Sequence, residues 1–118
     1  MNNETRKNYR NQLSELIGKK IKVIIDRPIG YKHGSIIYTL NYGYTELLTA
    51  LDGEFQDVYI LNETEPLKEY EGIVIGIIYR EDDIEDKLLV ARDTSINEEE
   101  IEKQVAFQEQ FFVHKIIK

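Results

Sequence analysis

The chain has 118 residues and a formal net charge of −7, and this length suits one domain because it can bury only one sizeable hydrophobic core. It contains no cysteine, which excludes disulfides, thiolate zinc sites and cysteine nucleophiles. The acidic charge repels nucleic-acid phosphates, no stretch has the roughly 18 to 20 apolar residues of a membrane span, and residues 1–20 lack the pattern of a secretory signal. We therefore expect one domain over residues 1–118, no nucleic-acid or membrane partner, and a cytoplasmic location.

The first 18 residues have the composition of a helix. Leu13, Leu16 and Ile17 fall on one side of that helix, and Gly18 is placed as its C-terminal stop. We expect this N-terminal helix, over residues 1–18, to lie against the rest of the domain.

After the helix, the sequence pattern changes to that of β-strands. Ile21, Val23 and Ile25 alternate with other residues, as in a strand that is buried on one face. Further β-rich stretches follow, separated by polar turns, at 36–40, 42–48, 57–61, 72–79 and 88–91. The last two flank the acidic run 81–86 and predict a long hairpin with an acidic tip. We expect residues 19–93 to form a barrel.

A second helix is predicted at the C-terminal end, over residues 95–115. Asn97 can cap it, glutamates at 98–100 occupy its first turn, and Ile101, Val105 and Phe112 form an apolar stripe. Taken together, the elements predict a mainly β, α+β fold. It is a small OB-type β-barrel with an N-terminal helix and a C-terminal packing helix.

Two acidic groups stand beside apolar strands. Asp52, Glu54 and Asp57 lie in a turn that leads into a strand, where Gly53 permits a tight bend and alternation can bring carboxylates to one site. The second group is the run 81–86. Converging carboxylates repel one another, and a hard divalent cation such as Mg²⁺ relieves that repulsion. Each group has the alternative role of a solvated loop, which is common for acidic residues at turns.

Several sequence features occur together in a particular order. Asn41-Tyr42-Gly43-Tyr44 is followed by Leu51-Asp52-Gly53-Glu54-Phe55-Gln56-Asp57-Val58, the apolar strand 72–79, Glu85-Asp86 before Leu89-Val90-Ala91, and a closing helix at 104–112. In order and spacing these features resemble the soluble, Mg²⁺-dependent inorganic pyrophosphatases of family I, over residues 20–112. The acidic segment is similar to the Asp-Gly-Asp-x-x-Asp signature of that family.

The resemblance implies an OB-type barrel with a metal site that hydrolyses inorganic pyrophosphate to phosphate. It implies Mg²⁺ as cofactor, with Mn²⁺ as an alternative, held by the carboxylates Asp52, Glu54, Asp57, Asp82, Asp83 and Asp86. Glu54 would also orient the attacking water and so act as the catalytic residue. The substrate would be a small phosphate-containing molecule, to which Tyr42 donates a hydrogen bond. The family likeness and the apolar Phe111-Phe112 end favour a homo-oligomer.

The chain departs from the family pattern at two positions of the expected site. Glu54 stands in place of an aspartate, which adds a methylene group to the catalytic side chain. Leu88 stands where the family has a lysine, two residues after Asp86. Lys87 is adjacent, but strand alternation predicts that it faces the opposite side.

The cations that bind phosphate in the family have no clear counterparts in this sequence. Arg27 and Lys32 are the substitutes that the chain offers, with His33 beside them, and Arg27 can bind a phosphate bidentately. Two alternatives therefore remain open. Beside pyrophosphate hydrolysis, the chain could be a pyrophosphatase-like binding module that has lost catalysis, or a hydrolase of another small diphosphate or nucleotide.

Overall fold

The computed structural model describes residues 3–118, which contain two α-helices and eight β-strands. In chain order they are α1 (Asn3–Glu15), β1 (Lys20–Arg27), β2 (Lys32–His33), β3 (Ile36–Ile37), β4 (Asn41–Thr49), β5 (Phe55–Ile60), β6 (Glu69–Arg80), β7 (Lys87–Ala91), α2 (Glu98–Glu109) and β8 (His114–Ile117). None of the helices in this part of the chain is long and apolar enough to cross a membrane.

Five of the strands close into a mixed barrel. They pair in the order β1-β4-β5-β7-β6, and β6 pairs back with β1 to complete the ring. All of these pairs are antiparallel except β5 with β7, which is parallel. The 12 residues of β6 make the closure possible, because residues 69–73 pair with β1 while residues 77–80 pair with β8. The predicted OB-type barrel with a helix at each end of the chain is confirmed.

Alternate residues of the central strands enter two separate hydrophobic clusters. On β7, Leu88 and Val90 join a cluster with Tyr9 and Leu13 of α1, whereas Leu89 lies in a cluster that includes Ile101 and Val105 of α2. Strand side chains alternate between two faces, so a strand with a cluster on each face is apolar throughout. This double burial explains the continuous apolar runs at 72–79 and 88–91.

The C-terminal region differs from the helix expected over residues 95–115. Helix α2 begins after Asn97, whose side chain accepts a hydrogen bond from the backbone N–H of Glu100 at 2.9 Å, and it ends at Glu109. Residues 114–117 instead form β8 along the second half of β6. The β-branched residues of this segment are compatible with a strand as well as with the apolar side of a helix. The unpaired edge of β6 supplies the hydrogen bonds that favour the strand.

Several large apolar side chains remain exposed in the described chain, among them Ile37, Leu47, Phe111 and Val113. The expected homo-oligomer stays a prediction.

Gly43 lies where β4 passes very close to β1. A Cβ atom added there would lie 1.8 Å from the carbonyl oxygen of Ile24 and 2.8 Å from the Cα of Ile25. Backbone atoms cannot move aside as a flexible side chain can. The glycine of the Asn-Tyr-Gly-Tyr segment is therefore required by strand packing.

We predict that Gly43→Ala lowers the free energy of unfolding by about 3 kcal/mol, because the methyl group forces β4 away from β1. Urea denaturation of the purified variant measures this. Gly34→Ala is the matched control, since an added Cβ there meets open space and only its φ of +62° causes strain, at about 1 kcal/mol. Equal losses in the two variants would contradict the packing explanation.

His114 joins β8 to α2. Its ring nitrogens lie 3.0 Å from the carbonyl oxygen of Phe112 and 2.5 Å from Oε1 of Glu102. Burial lowers the pKa of His114, but these two acceptors outweigh burial and leave the pKa above its usual value. The protonated form, which donates from both nitrogens, is the one that stabilises the fold.

Because the folded-state pKa of His114 is raised, its contribution is complete below the unfolded pKa and is lost as the pH rises through the folded pKa. We predict that His114→Gln costs about 1 kcal/mol at pH 5.5 and clearly less at pH 9, measured as unfolding free energy. Glu102→Gln should reduce the pH dependence in the same way. A cost of His114→Gln that is equal at both pH values would contradict the assignment.

Candidate functional site

A cavity of about 470 Å³ lies among β1, β4, β5, the adjoining ends of β6 and β7, and the end of α2. Among the described residues that line it are five carboxylates and three permanent cations, namely Asp26, Asp52, Glu54, Asp57, Glu85, Arg27, Arg80 and Lys87. The carboxylates outnumber the cations, so the cavity is negative overall. Acidic and basic side chains therefore lie together in this cavity.

The acidic loop before β5 brings three of the predicted residues into this cavity. Gly53 has φ +87°, and the backbone N–H of Ala50 donates to the carbonyl of Glu54 at 2.8 Å, which closes a tight turn. Asp52 Oδ1 accepts the backbone N–H of Glu54 at 3.0 Å and fixes the two side chains relative to each other. Asp57 follows on β5. Asp52, Glu54 and Asp57 therefore share one cavity wall.

Lys87 points into the cavity, contrary to the sequence expectation. Its Nζ donates to Asp57 Oδ2 at 2.7 Å and to the hydroxyl of Tyr42 at 2.8 Å. The reason is strand register, because Val58 of β5 pairs with Leu88 of β7 and both side chains enter the same hydrophobic cluster. The residues just before them, Asp57 and Lys87, must then share the other face.

Tyr42 lies at the floor of the cavity with 7% of its surface exposed. Burial, and next the charge of Asp57, raise the pKa of the Tyr42 phenol well above its usual value. The hydroxyl therefore stays protonated, and a hydrogen bond with Asp57 contributes to this.

The carboxylate that accompanies Lys87 in the cavity is Glu85, whose Oε1 lies 3.7 Å from the lysine Nζ. Asp86 does not line the cavity. It is 1% exposed, accepts from Arg10 Nε at 2.8 Å and Nη2 at 3.0 Å, and also accepts the backbone N–H of Arg80 at 2.8 Å. Asp86 therefore anchors helix α1 through Arg10. The carboxylate and the lysine two residues after it that line the cavity are Glu85 and Lys87.

The other predicted residues of the hairpin tip also lie outside the cavity lining. Asp82 accepts the backbone N–H of Val113 at 3.2 Å, and Asp83 accepts Nη1 of Arg80 at 3.0 Å. Lys32, on β2, is exposed and outside the lining, whereas the adjacent His33 is part of it. The metal-ligand roles predicted for Asp82, Asp83 and Asp86, and the phosphate-binding role of Lys32, have no supporting geometry and stay predictions.

Arg27 reaches the cavity from β1 at an irregularity in the strand. One extra residue, Asp26, lies between the pairings of β1 with Gly43 and Tyr42, and it also lines the cavity. Partial burial raises the pKa of Asp26 above its usual value, and the charge of Arg27 opposes this. Arg27 Nη1 donates to the hydroxyl of Tyr38 at 2.6 Å, which holds the guanidinium against the tyrosine side chains.

Arg80 also lines the cavity, at the end of β6. Its Nε and Nη2 donate to the two carboxylate oxygens of Glu109 at 2.9 and 2.7 Å, and the guanidinium carbon lies 3.6 Å from the ring centre of Phe112. Glu109 is fully buried, and Tyr59 also donates to it at 2.6 Å.

A chain of hydrogen bonds connects the two arginines. Arg27 donates to Tyr38, Tyr38 to Gln108, Gln108 to Tyr59, and Tyr59 to Glu109, each at 2.6 Å. Glu109 in turn holds Arg80. This arrangement fastens the end of α2 to the barrel and holds both guanidinium groups.

The cavity offers hard oxygen donors, which suit Mg²⁺ or Mn²⁺ in their chemistry. Within residues 3–118 no group of three or more histidine or acidic side chains is assembled so as to hold a metal ion. Asp57 is paired with Lys87, while Asp52 and Glu54 are exposed at the rim. The donor set fits such a cation only if water and substrate oxygens complete the coordination.

Sequence comparison finds no matching protein-family model and no matching curated protein. Structure comparison finds a similar fold in the inorganic pyrophosphatase from Ehrlichia chaffeensis, with a TM-score of 0.67 and 18% identity over 86% of each chain. An inorganic pyrophosphatase from Coxiella burnetii has a TM-score of 0.61 and 18% identity, covering 85% of this chain and 84% of that one. The enzyme from Thermus thermophilus has a TM-score of 0.60 and 17% identity, covering 85% and 81%.

The chain has the inorganic pyrophosphatase fold. The fold implied by the sequence resemblance is thus confirmed. At identities of 14–19% the likeness shows the fold alone.

Sequence reasoning missed Glu85, Lys87, Arg80 and Asp26 as cavity residues. The spacing Glu85-x-Lys87 is a signal for a carboxylate and a lysine on one face. The sequence resemblance assigns the carboxylate role to Asp86 instead, and the expected strand alternation turns Lys87 away from the site. Arg80 gave no signal, because an arginine at the end of a strand normally faces solvent.

We predict that Asp86→Asn lowers the free energy of unfolding by about 3 kcal/mol, because it removes the charge that compensates Arg10 in a buried pair. Asp82→Asn, in the same loop but exposed, should cost less than about 1 kcal/mol. Urea denaturation compares the two. Equal and small effects would show that Asp86 does not anchor α1.

Proposed function

We propose that this protein hydrolyses inorganic pyrophosphate, or a closely related small phosphoanhydride, with the help of a divalent cation. The observation that supports this most strongly is that Asp52, Glu54 and Asp57 share one cavity with Lys87. Carboxylates hold hard cations, and an ammonium group binds phosphate oxygens. The inorganic pyrophosphatase fold agrees with this proposal.

Mg²⁺ is the proposed cofactor, with Mn²⁺ as the alternative. Asp52, Glu54 and Asp57 would hold it, and Glu85 is a further carboxylate in the same cavity. The absence of a preassembled group of three ligands among the described residues is compatible with Mg²⁺, which is commonly held by one or two carboxylates together with waters and substrate oxygens. When bound, such a cation lowers the pKa of water and offsets phosphate charge.

The side chains of the cavity have distinct proposed roles. Glu54, at the exposed rim, accepts a proton from the attacking water. As the water oxygen bonds to one phosphorus, the bridging P–O bond breaks and the proton passes to the leaving phosphate, which gives two phosphate ions. Lys87 has three N–H donors, of which Asp57 and Tyr42 take two; the third makes no hydrogen bond within residues 3–118, with Glu85 Oε1 at 3.7 Å, and would go to a phosphate oxygen. Arg27 can bind a second phosphate group.

A second candidate function is binding without hydrolysis. The observation that favours it is the 2.7 Å ion pair between Lys87 and Asp57, because a metal ion at Asp57 would have to displace or share that contact. In this case the cavity would bind a small phosphate-containing ligand without activating water.

We predict that the purified chain releases phosphate from pyrophosphate in the presence of Mg²⁺ or Mn²⁺ and not in the presence of a chelator. Asp57→Asn should reduce the rate at least about a hundredfold, because it removes a charge needed at the reacting centre. Asp93→Asn is the control, since Asp93 is an exposed carboxylate outside the cavity lining, and it should retain the wild-type rate.

No phosphate release by folded protein with either metal would overturn the hydrolase proposal for pyrophosphate. Calorimetric titration with pyrophosphate then decides between the remaining functions. Binding without turnover supports the binding module, whereas turnover of a nucleoside diphosphate alone identifies a larger substrate.

A further inference from the structure

Arg80 is a permanent charge built into the wall of the cavity. Its side chain is 2% exposed, it lines the cavity from the end of β6, and it lies on the ring of Phe112. A guanidinium has five N–H donors in a fixed plane. Three are donated to carboxylates, two to Glu109 and one to Asp83, which leaves one on each terminal nitrogen without a partner among residues 3–118.

The contacts of Arg80 hold its orientation from three sides. Glu109 grips it bidentately from α2, Asp83 contacts it from the loop after β6, and Phe112 covers one face. A bidentate pair fixes the plane of a guanidinium as well as its position. The group is therefore preorganised, and binding an anion would require little further ordering of the side chain.

Fold stability alone gives a weak reason for this arrangement. A buried arginine–glutamate pair stabilises a protein no better than well-packed apolar side chains of similar volume, because desolvation offsets the attraction. Two N–H groups of Arg80 have no partner among residues 3–118. A phosphate oxygen in the cavity would satisfy them.

We infer that Arg80 is the fixed phosphate-binding group of the cavity, and that Glu109 is its positioning residue. This inference rests on the proposed function and adds to it the residue that takes one phosphate group of the substrate. Arg80 thereby supplies a cation that the sequence resemblance left without a counterpart. Arg27 lines the same cavity at the other end of the same hydrogen-bond chain, so it is available for a second phosphate group.

The test replaces both members of the ion pair at once, so that no buried charge is left alone. We predict that Arg80→Met with Glu109→Gln remains folded and binds inorganic phosphate at least about tenfold more weakly, as measured by calorimetry in the presence of Mg²⁺. Arg92→Met with Glu63→Gln is the matched control. That pair, with N and O atoms 3.4 Å apart, lies outside the cavity lining, and its loss should leave phosphate binding unchanged.

A second measurement needs no folded double variant. In the wild-type protein, the Nε–H signal of Arg80, assigned with Arg80→Lys, should shift in nitrogen–proton NMR spectra as inorganic phosphate is added, while that of Arg92 should not. Phosphate binding that leaves the Arg80 signal unmoved, or a folded double variant with wild-type phosphate affinity, would overturn the inference. So would a wild-type protein that binds no phosphate.

The inference and the proposed hydrolysis can fail separately. Arg80-dependent phosphate binding without turnover of pyrophosphate would overturn the hydrolase proposal and support the role of Arg80. Turnover of pyrophosphate with KM and phosphate affinity unaffected in the double variant would support the hydrolase and overturn the role of Arg80.

Discussion

The closure of the barrel by β6 is the constraint on which the remaining structure depends. This one strand pairs with β1, β7 and β8, and its glycines permit the crowding that results. A Cβ atom at Gly72 would lie 2.8 Å from the carbonyl oxygen of Ala91, and one at Gly76 would lie 2.6 Å from that of Ile117. Arg80 at the end of β6 lines the same cavity as the charged residues of β1 and β7. The cavity is therefore lined by paired strands as well as by the loops that carry Asp52, Glu54 and Glu85.

Helix α2 contributes to the site through its last turn. Gln108 accepts from Tyr38 and donates to Tyr59, and Glu109 accepts from Tyr59 and from Arg80, so two buried tyrosines link Arg27 to Arg80. Such a network is stabilising when its members are satisfied, and the connecting residues Tyr38, Gln108, Tyr59 and Glu109 each have partners within it. Ile101 and Val105 of this helix pack on the barrel, while Gln108 and Glu109 of its last turn hold the hydrogen-bond chain between the two arginines. One helix therefore contributes to both packing and site geometry.

The sequence predicted the framework of this protein well and the details of the charged site only in part. Helix caps, apolar runs and the acidic turn are local signals. The barrel, both helices and the grouping of Asp52, Glu54 and Asp57 could therefore be predicted from the sequence. The face to which Lys87 points depends on the register between β5 and β7, which joins residues about 30 positions apart. The pairing of Arg80 with Glu109 likewise depends on where α2 docks. Such long-range geometry leaves no periodic trace in a single sequence.

The balance of charge in the cavity determines what it can bind. The cations Lys87 and Arg80 each already contact a carboxylate, and the carboxylates are in excess, so a bare pyrophosphate ion would meet a negative field. Under the proposed function, a ligand that arrives with its own divalent cation would reverse this, because the cation would offset the carboxylates at the rim while the phosphate oxygens would meet the remaining N–H groups of the arginines and the lysine. The acidic composition that argues against nucleic acid as a partner is therefore consistent with a phosphate ligand, provided that the ligand is a metal complex.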